Sequence, residues 1–321
     1  MTPSLRTLVT GAGGFIGDHL VAYLKERGYW VRGVDVKTPE FSDTAADEFL
    51  VLDLRRWENC LEATRGIEHV YALAADMGGM GFISANHATI LRNNALIDLH
   101  TFDAAREQGA QRLLFTSSAC VYPEYLQTRT DIAGLREEDA YPAAPQDAYG
   151  WEKLFGELLC EYFPTEFDIE TRIVRFHNIY GPRGTFEGGR EKSPAALCRK
   201  VALAEDDTSI EVWGDGDQTR SFCHVDDCVE GIYRLMHSDF DQPLNLGTER
   251  MVSINELAHI IIDVAGKNLA IEHVDGPQGV RGRNSDNTKL REVLGWEPTI
   301  ELEEGLSETY RWIEKQLLER Q

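Results

Sequence analysis

The sequence predicts an α/β fold built on a parallel sheet with helices on both faces. Three observations support this fold class. Short apolar runs alternate with amphipathic segments through the first half of the chain, a glycine-rich turn follows the first apolar run, and the alternation gives way to glycine-rich loops after about residue 177. We therefore expect a Rossmann-type, doubly wound sheet joined to a smaller α/β substrate-binding domain.

The apolar alternation predicts where the elements lie. Strands are expected near residues 6–10, 30–35, 48–52, 69–73, 111–117 and 171–176, and helices near 15–27, 87–108 and 148–163. Further helices are expected near 194–204, 226–237, 254–265 and 303–317. We assign residues 1–177 plus about 214–248 to the sheet domain, and about 178–213 plus 249–321 to the smaller domain.

Composition and charge restrict the class of protein. The chain of 321 residues is 42% hydrophobic and 27% charged, as in ordinary folded proteins. No apolar run approaches the roughly 20 residues of a membrane span, and residues 1–6 show no signal-peptide core, so we expect a cytoplasmic protein that binds no membrane. The net charge of −22 argues against nucleic acid as a partner, although a local basic cluster can still bind a small anion.

The six cysteines carry no metal signature. They lie at positions 60, 120, 160, 198, 223 and 228, without a CxxC pair or a spacing typical of zinc. We predict no metal site, and we interpret five of the six as reduced thiols that act as small hydrophobic residues. Cys120 is treated separately because of the residues around it.

A dinucleotide site is predicted at the first strand–helix turn. Gly11 permits the tight turn, Gly14 lets the backbone approach a pyrophosphate, and Gly17 allows the helix to pack closely on the strand. The free N–H groups of the helix N-terminus face the same anion. The predicted cofactor contacts also include Phe15, Ile16, Leu73 and Ala75.

Acidic residues at the ends of the next two strands indicate which dinucleotide binds. Asp35 ends the second strand, close to the distance of roughly 20 residues at which an acid binds the ribose hydroxyls. Its carboxylate would repel the extra phosphate of NADP, so we predict NAD. Asp53 ends the third strand and is either an adenine contact or a turn residue.

A Tyr-x-x-x-Lys pair predicts acid–base chemistry. Tyr149 and Lys153 are spaced i,i+4 on a predicted helix, which places both side chains on one face. A cation beside a phenol lowers the phenol pKa from about 10, which makes the tyrosine usable near neutral pH. Ser118 ends the strand that precedes this helix, and we predict that it hydrogen-bonds a substrate hydroxyl.

The glycine turn, the Tyr149–Lys153 pair and Ser118 together resemble the extended short-chain dehydrogenase/reductase family, which acts on nucleotide sugars. The resemblance runs from Leu8 to about Trp312 and includes the stretch Trp213–Phe222 followed by His224-Val225-Asp226-Asp227. It implies that the sheet domain binds NAD and that the smaller domain binds the nucleotide sugar. It also implies that Arg220 meets the diphosphate.

Cys120, two residues after Ser118, indicates one branch of that family. The position is acidic in the 4,6-dehydratases and a small inert residue in simple 4-epimerases, whereas a thiol is similar to the branch that epimerises sugars at C3 and C5. Further strings resemble members of that branch that act on GDP-mannose, namely Gly78–Phe82 after Ala74-Ala75-Asp76, Arg175–Pro182, Gly188–Pro194 and Val280–Asn287.

The resemblance implies epimerisation of GDP-alpha-D-mannose at C3 and C5 to GDP-L-galactose, with GDP-L-gulose as the product of a single inversion. Transient oxidation at C4 makes the neighbouring C–H bonds acidic, and Cys120 and Lys192 are the expected acid–base pair that exchanges their protons. NAD is restored in each turnover and is expected to stay tightly bound. Lys192 has an alternative interpretation as a loop lysine that binds phosphate.

The implied substrate contacts lie in both halves of the chain. Lys200 and Arg281 are assigned to the diphosphate, and Asn178 and the Gly78 backbone to the sugar or a phosphate, whereas His177 is interpreted as structural. The resemblance also implies a homodimer through the helices near 87–108 and 148–163. The full predicted set of substrate contacts is Gly78, Met80, Ser118, Ala119, Cys120, Asn178, Glu191, Lys192, Ser193, Lys200, Gly216, Gln218, Arg220 and Arg281.

Three other functions remain open at this point. One is an epimerase-reductase of GDP-4-keto-6-deoxymannose, of the GDP-L-fucose synthase type, which resembles NADP users with a histidine as the second acid or base; Asp35 and Lys192 argue against it. Another is a simple 4-epimerase, which needs no Cys120. The last is a non-catalytic NAD-binding protein on the same fold, which an intact Tyr149 and Lys153 disfavour.

Overall fold

The computed structural model describes residues 5–320. The prediction that residues 1–6 hold no signal-peptide core therefore lies largely outside the described residues. The strands in chain order are β1 Arg6–Thr10, β2 Trp30–Asp35, β3 Glu48–Val51, β4 His69–Ala72, β5 Arg112–Ser118, β6 Glu170–Phe176, β7 Ile179–Tyr180, β8 Ser209–Trp213, β9 Thr219–Ser221, β10 Cys223–His224, β11 Pro243–Leu246, β12 Met251–Ser253, β13 Ala270–Val274 and β14 Gly282–Arg283. The α-helices are α1 Phe15–Glu26, α2 Trp57–Thr64, α3 Met80–Ala85, α4 His87–Glu107, α5 Ala148–Glu166, α6 Ser193–Leu203, α7 Val225–Met236, α8 Ile254–Ala265, α9 Thr288–Leu294 and α10 Leu302–Leu318.

Seven of these strands form the main sheet. Their order is β11-β6-β5-β4-β1-β2-β3, and every neighbouring pair is parallel. Each connection between parallel neighbours has to cross a face of the sheet. The chain runs outward from β1 to β3 and then returns to β4 on the other side of β1, which makes the carboxyl ends of β1 and β4 the topological switch point. This order confirms the predicted doubly wound fold.

Side-chain alternation in the strands divides the core between the two faces of the sheet. Leu8 packs with residues of α2, α4 and α5, whereas the next residue, Val9, packs with residues of α1 and α7. Both side chains are fully buried. Because both faces are covered, the central strands are apolar on both sides, as the sequence pattern indicates.

A second core lies beside the sheet. Residues of α6, α8 and α10 pack there with residues of β8, which pairs in parallel with β13. Leu197, Val212, Leu257 and Leu306 belong to this core. The division of the chain near residues 177, 214 and 248 stays a prediction, and β11, which lies just before residue 248, is the seventh strand of the main sheet.

The predicted elements are present within a few residues of their expected bounds, and the differences are additions. Helices α2, α3 and α9 have only eight, six and seven residues, which is too short for apolar periodicity to indicate a helix. Across residues 5–320, none of the helices combines the length and the apolar content that a transmembrane span requires.

Candidate active site

A large cleft of about 940 Å³ opens at the carboxyl ends of the central strands. Its walls come from the β1–α1 turn, the ends of β2, β4 and β5, the start of α5, and the loop that leads into α6. All of the predicted site residues line this cleft except Gly216 and Arg281. The structure therefore brings the predicted cofactor, catalytic and substrate residues to one place.

The β1–α1 turn has the shape that a dinucleotide requires. Gly14 precedes the first residue of α1, and its N–H donates to the carbonyl of Gly11 at 3.0 Å. A Cβ atom on Gly17 would lie 2.1 Å from that same carbonyl oxygen, so no side chain fits where the helix meets the turn. The helix N-terminus is thus held against the strand with its amides at the cleft, as an anion site needs.

Asp35 is fixed at the end of β2 by backbone donors. Its carboxylate accepts hydrogen bonds from the N–H of Gly13 at 3.0 Å and from the N–H of Val36 at 2.6 Å. Burial raises the pKa of Asp35, although these backbone hydrogen bonds act in the opposite direction. The carboxylate lines the cleft beside the glycine turn, which fits the predicted role of binding the ribose of NAD.

Asp53 has a partner on the protein. Arg55 forms a salt bridge with it at 2.8 Å and lowers the pKa of Asp53. Asp53 also accepts from the backbone N–H of Arg55, as a turn residue does, and it still lines the cleft. Both of the predicted interpretations of Asp53 are therefore compatible with its position.

Removing the Asp35 carboxylate is expected to weaken the preference for NAD over NADP. In Asp35→Ala we expect the ratio of the two dissociation constants to shift toward NADP by about tenfold or more, because hydrogen bonds to the ribose and repulsion of the extra phosphate are lost together. The ratio is measured by titrating cofactor-free protein with each dinucleotide. Asp43→Ala, which removes an exposed acid from the connection after β2, is the control, and an unchanged ratio in Asp35→Ala would contradict the assignment.

The start of α5 places the Tyr149–Lys153 pair. Asp147 caps the helix by accepting from the N–H of Gly150 at 3.0 Å. A Cβ atom on Gly150 would lie 2.2 Å from the carbonyl oxygen of Cys120, so the helix packs directly on the 3₁₀ turn that carries this cysteine. Tyr149 and Cys120 consequently meet in one apolar cluster.

The electrostatics of the pair differ from the sequence expectation in one respect. Burial raises the pKa of Tyr149, and the opposing effects of the Lys153 charge and of a hydrogen bond with Ser118 are smaller. The predicted lowering by Lys153 is present, but it is outweighed because the ring lies in a cluster with Ile83 and Ile90. The prediction of a lowered pKa for Tyr149 is therefore wrong, because burial outweighs the effect of the lysine.

Lys153 is buried beside two acids. Its Nζ lies 3.3 Å from Oε1 of Glu152, and the side chains of Glu152, Asp98 and Lys153 are all buried. Burial alone would lower the pKa of Lys153, but the charges of Glu152 and Asp98 together outweigh it, so the pKa is raised. The amine is therefore held as a cation next to Tyr149.

Cys120 is held from two sides. Its backbone N–H donates to Oγ of Ser118 at 3.2 Å, which begins the 3₁₀ turn Ala119–Val121. Nη1 of Arg283 donates to its sulfur at 3.2 Å, and Nε of Arg283 donates to Oε1 of Gln127 at 2.7 Å. Arg283 has no predicted role, and the only signal in the sequence is its place two residues after Arg281 in the string Val280–Asn287. Of the six cysteines, Cys120 is partly exposed and the other five are buried, as predicted.

Lys192 immediately precedes α6, and its side chain is open to the cleft. The protein atoms around the cleft keep bulk water away from the amine, and this desolvation lowers the pKa of Lys192. The thiols of Cys120 and Cys228 act in the opposite direction. A lowered pKa brings the amine closer to the range in which it can both take and give a proton.

Basic side chains gather at one end of the cleft. Arg220 donates to three backbone carbonyls, and burial together with the charge of Arg283 lowers its pKa to about 9. Nζ of Lys200 donates to the carbonyl of Glu211 at 2.8 Å. Despite the net charge of −22, this end of the cleft therefore favours an anion.

Two predicted substrate contacts, Arg281 and Gly216, do not line the cleft. The guanidinium of Arg281 binds the carboxylate of Asp215 at 2.9 Å and Oε1 of Gln278 at 3.2 Å. Gly216 lies in a turn that faces the side chain of Asn255. Trp213, which the sequence analysis placed only in a longer motif, lines the cleft and is 45% exposed, so it offers an open ring for stacking.

Two neighbouring residues at the end of β6 have different roles. Asn178 lines the cleft with a backbone φ of +48°, a conformation that asparagine tolerates, and its side-chain N–H donates to the carbonyl of Ser221 at 2.8 Å. His177 is fully buried, its Nε2 lies 2.9 Å from Oδ1 of Asn245, and burial lowers its pKa to about 3. These contacts agree with the predicted structural role of His177.

Comparison with known proteins identifies the family. A model of the NAD dependent epimerase/dehydratase family matches residues 7–247. The chain is 52% identical over 316 residues to GDP-mannose 3,5-epimerase of Arabidopsis thaliana, covering 98% of this chain and 83% of the relative, and 30% identical over 320 residues to GDP-L-fucose synthase of Escherichia coli K12, covering 96% of each.

A solved structure gives the same result for the fold. UDP-glucose 4-epimerase of Thermotoga maritima, crystallised with UDP-glucose, superposes with a TM-score of 0.88 at 26% sequence identity, covering 98% of this chain and 100% of that chain. The glycine turn, Asp35 and the Tyr149–Lys153 pair all lie within the segment that matches the family model, and all line the cleft. The protein belongs to the NAD-dependent epimerase/dehydratase family.

Proposed function

We propose that the protein inverts C3 and C5 of GDP-alpha-D-mannose to give GDP-L-galactose, with GDP-L-gulose as the product of one inversion. The observation that carries this proposal is that Cys120 and Lys192 share one cleft with the Tyr149–Lys153 pair. A simple 4-epimerase has no use for a second acid–base pair. The 52% identity to plant GDP-mannose 3,5-epimerases, against 30% to the bacterial GDP-L-fucose synthase, supports the same substrate.

Side chains at one end of the cleft bind the nucleotide in this proposal. Arg220 and Lys200 provide positive charge for the diphosphate, and Gln218 lies on the same wall. Arg283 lies nearer the reacting sugar, because it also contacts the sulfur of Cys120. Binding the diphosphate at this end leaves the hexose between Tyr149 and the acid–base pair.

The first half of the reaction occurs at C4. The glycine turn and Asp35 would hold NAD, which would supply the acceptor for the C4 hydride and return the hydride at the end of the cycle. Tyr149 takes the proton of the C4 hydroxyl, and Ser118, which hydrogen-bonds Tyr149, also orients that hydroxyl. The cationic Lys153 stabilises the phenolate that this transfer creates.

The second half of the reaction occurs at C3 and C5. A ketone at C4 makes both neighbouring C–H bonds acidic, because the carbanion is delocalised as an enolate. Cys120 and Lys192 act as the acid and the base on opposite faces of the ring, so that a proton removed from one face is replaced from the other. Returning the hydride and the hydroxyl proton to C4 completes an isomerisation with no net oxidation.

Nuclear magnetic resonance of GDP-mannose incubated with the protein in D₂O tests this proposal. We expect deuterium at C5 and C3 and the appearance of GDP-L-galactose, without net consumption of added NADPH. Consumption of NADPH with a 4-keto-6-deoxy substrate would instead favour the GDP-L-fucose synthase type. Unchanged GDP-mannose after long incubation would leave a non-catalytic NAD-binding protein as the better interpretation.

We also propose that the protein forms a homodimer through α4 and α5. These helices pack beside each other and expose apolar side chains on the sides that face away from the sheet. On α5 the exposed positions recur at i, i+7 and i+11, which lie on one helix face. The exposed apolar residues are Leu91, Leu99, Trp151, Leu158 and Tyr162.

A charge placed in this apolar stripe is expected to separate the dimer. Trp151→Glu should convert a dimer to a monomer in analytical ultracentrifugation at micromolar concentration, because a buried unpaired carboxylate opposes association by several kcal/mol. Leu318→Glu, at an exposed apolar position on α10, is the control and should remain dimeric. A dimer that persists in Trp151→Glu would place the interface elsewhere.

We also propose a cytoplasmic location from the state of the cysteines. The six cysteines are free thiols in the structure. Unpaired cysteines are usual in a reducing compartment.

A further inference from the structure

Two loops from different parts of the chain meet beside the cleft. One follows β4 and contains Asp76 and Met77, and the other precedes α6 and contains Arg190 two residues before Lys192. Nη1 of Arg190 lies 3.0 Å from Oδ1 of Asp76 and donates to the carbonyl of Met77 at 3.2 Å. The carbonyl of Arg190 in turn accepts from the N–H of Gly79 at 3.1 Å.

Arg190 is fixed by a further contact although it is half exposed. Its guanidinium lies over the ring of Phe82 at 3.8 Å from the ring centroid. An exposed ion pair by itself adds little to stability. The combination of an ion pair, a hydrogen bond to the backbone and a stacked ring fixes the position of the loop far more closely than the ion pair alone would.

Asp76 is held from the opposite side by two buried asparagines on α4. Its Oδ2 accepts from Nδ2 of Asn93 at 2.9 Å, and its N–H donates to Oδ1 of Asn94 at 2.6 Å. Asn93 and Asn94 are both buried. The two asparagines therefore fix the orientation of the Asp76 carboxylate independently of Arg190.

Further polar contacts connect Asn94 to Lys153 of the Tyr149–Lys153 pair. Nδ2 of Asn94 donates to Oε2 of Glu152 at 2.9 Å, and Oε1 of Glu152 lies 3.3 Å from Nζ of Lys153. A continuous set of polar contacts thus joins Lys153, through Glu152, Asn94 and Asp76, to the loop of Lys192. Networks of this kind hold their members in one arrangement.

We propose that Asp76 and Arg190 form a latch, a contact between the two loops that fixes the position of Lys192 relative to Tyr149 and Lys153. This inference rests on the proposed function, because it concerns how the two halves of that reaction share one cleft. Asp76 and Arg190 line the cleft, and the proposed reaction gives neither of them a proton or a hydride to transfer, so they are positioning residues. Opening the latch impairs proton transfer at C3 and C5 and leaves hydride transfer at C4 in place.

The test compares Arg190→Met, Asp76→Ala and the double variant with the wild-type protein. We expect each single variant to lose about 10²-fold in the rate of deuterium incorporation at C3 and C5, the loss that a displacement of about 1 Å can cause in a catalytic group. Single-turnover formation of reduced nicotinamide should stay within about threefold of the wild-type rate. The double variant should be no slower than the slower single variant, because both changes open the same contact.

Arg250→Met is the matched control. Arg250 is 47% exposed against 49% for Arg190, and it pairs with Glu303 away from the cleft. Hydrogen exchange provides a second measurement, in which amides of residues 186–192 should exchange faster in Arg190→Met and at the wild-type rate in Arg250→Met. This measurement does not depend on turnover.

The ratio of proton exchange to hydride transfer decides the outcome. The latch is overturned if Arg190→Met lowers both rates equally, or leaves both unchanged, in a preparation whose wild-type control exchanges protons at C3 and C5. A wild-type protein that exchanges neither proton would overturn the proposed function instead. Additive losses in the double variant would show that Asp76 and Arg190 act separately, which also contradicts the latch.

Discussion

Replacing Cys120 by alanine is expected to stop inversion at C3 and C5 while oxidation at C4 continues. Cys120 lines the cleft beside Ser118, and Arg283 and the Ser118 cap hold it in place. Removing a positioned acid or base costs on the order of 10²–10⁴-fold in rate. The rate of epimer formation in D₂O measures the loss, and single-turnover reduction of the nicotinamide measures the step that should survive.

Cys120→Ser is the matched variant. It keeps the size of the side chain and a hydrogen-bond acceptor for Arg283, but a hydroxyl is a far weaker acid than a thiol. We expect it to be nearly as slow in proton exchange as the alanine variant. Wild-type exchange at both carbons in either variant would rule out the thiol as an acid or a base.

The groups that the sequence located best are those whose function depends on local spacing. The glycine turn and the Tyr149–Lys153 pair each lie within one strand–helix turn or one helix, so their relative positions follow from backbone geometry alone. Asp35 follows because it ends the strand adjacent to β1. The structure places all of them at the same cleft.

Contacts between distant parts of the chain could not be predicted in the same way. Arg283 and Cys120 are 163 residues apart, and only the fold brings the guanidinium to the sulfur. Arg281, two residues earlier, carries the same charge but binds Asp215 instead. Nothing in the string of residues distinguishes these two arginines, because the difference lies in which partner each can reach.

Burial is the other quantity that sequence spacing does not give. The pair Tyr149–Lys153 predicts a lowered phenol pKa, yet burial in a cluster with Ile83 and Ile90 outweighs the effect of the lysine. Ile83 belongs to α3, a helix too short to be predicted from periodicity. The unpredicted helix α3 and the wrong direction of the Tyr149 pKa shift are therefore connected, because Ile83 of α3 helps to bury the phenol.

Replacing Lys153 by methionine is expected to abolish oxidation at C4. The cation stabilises the phenolate of Tyr149, and without it the raised pKa of the buried phenol has no opposing charge of comparable size. We expect single-turnover reduction of the nicotinamide to fall by on the order of 10²–10⁴-fold. Hydride transfer that continues at the wild-type rate would contradict the pairing of Tyr149 with Lys153.

Loss of folding is the alternative explanation for an inactive Lys153→Met protein, and Glu152 provides the means to separate the two. Nζ of Lys153 lies 3.3 Å from Oε1 of the buried Glu152, so the carboxylate of Glu152 is the ion-pair partner of the lysine. Removing Lys153 alone strands that carboxylate, which costs about 3–5 kcal/mol in the free energy of unfolding. Adding Glu152→Gln removes the stranded charge and keeps an acceptor for Asn94, so stability should return while C4 oxidation stays lost. If oxidation returned with stability, the lysine would serve the fold and not the chemistry.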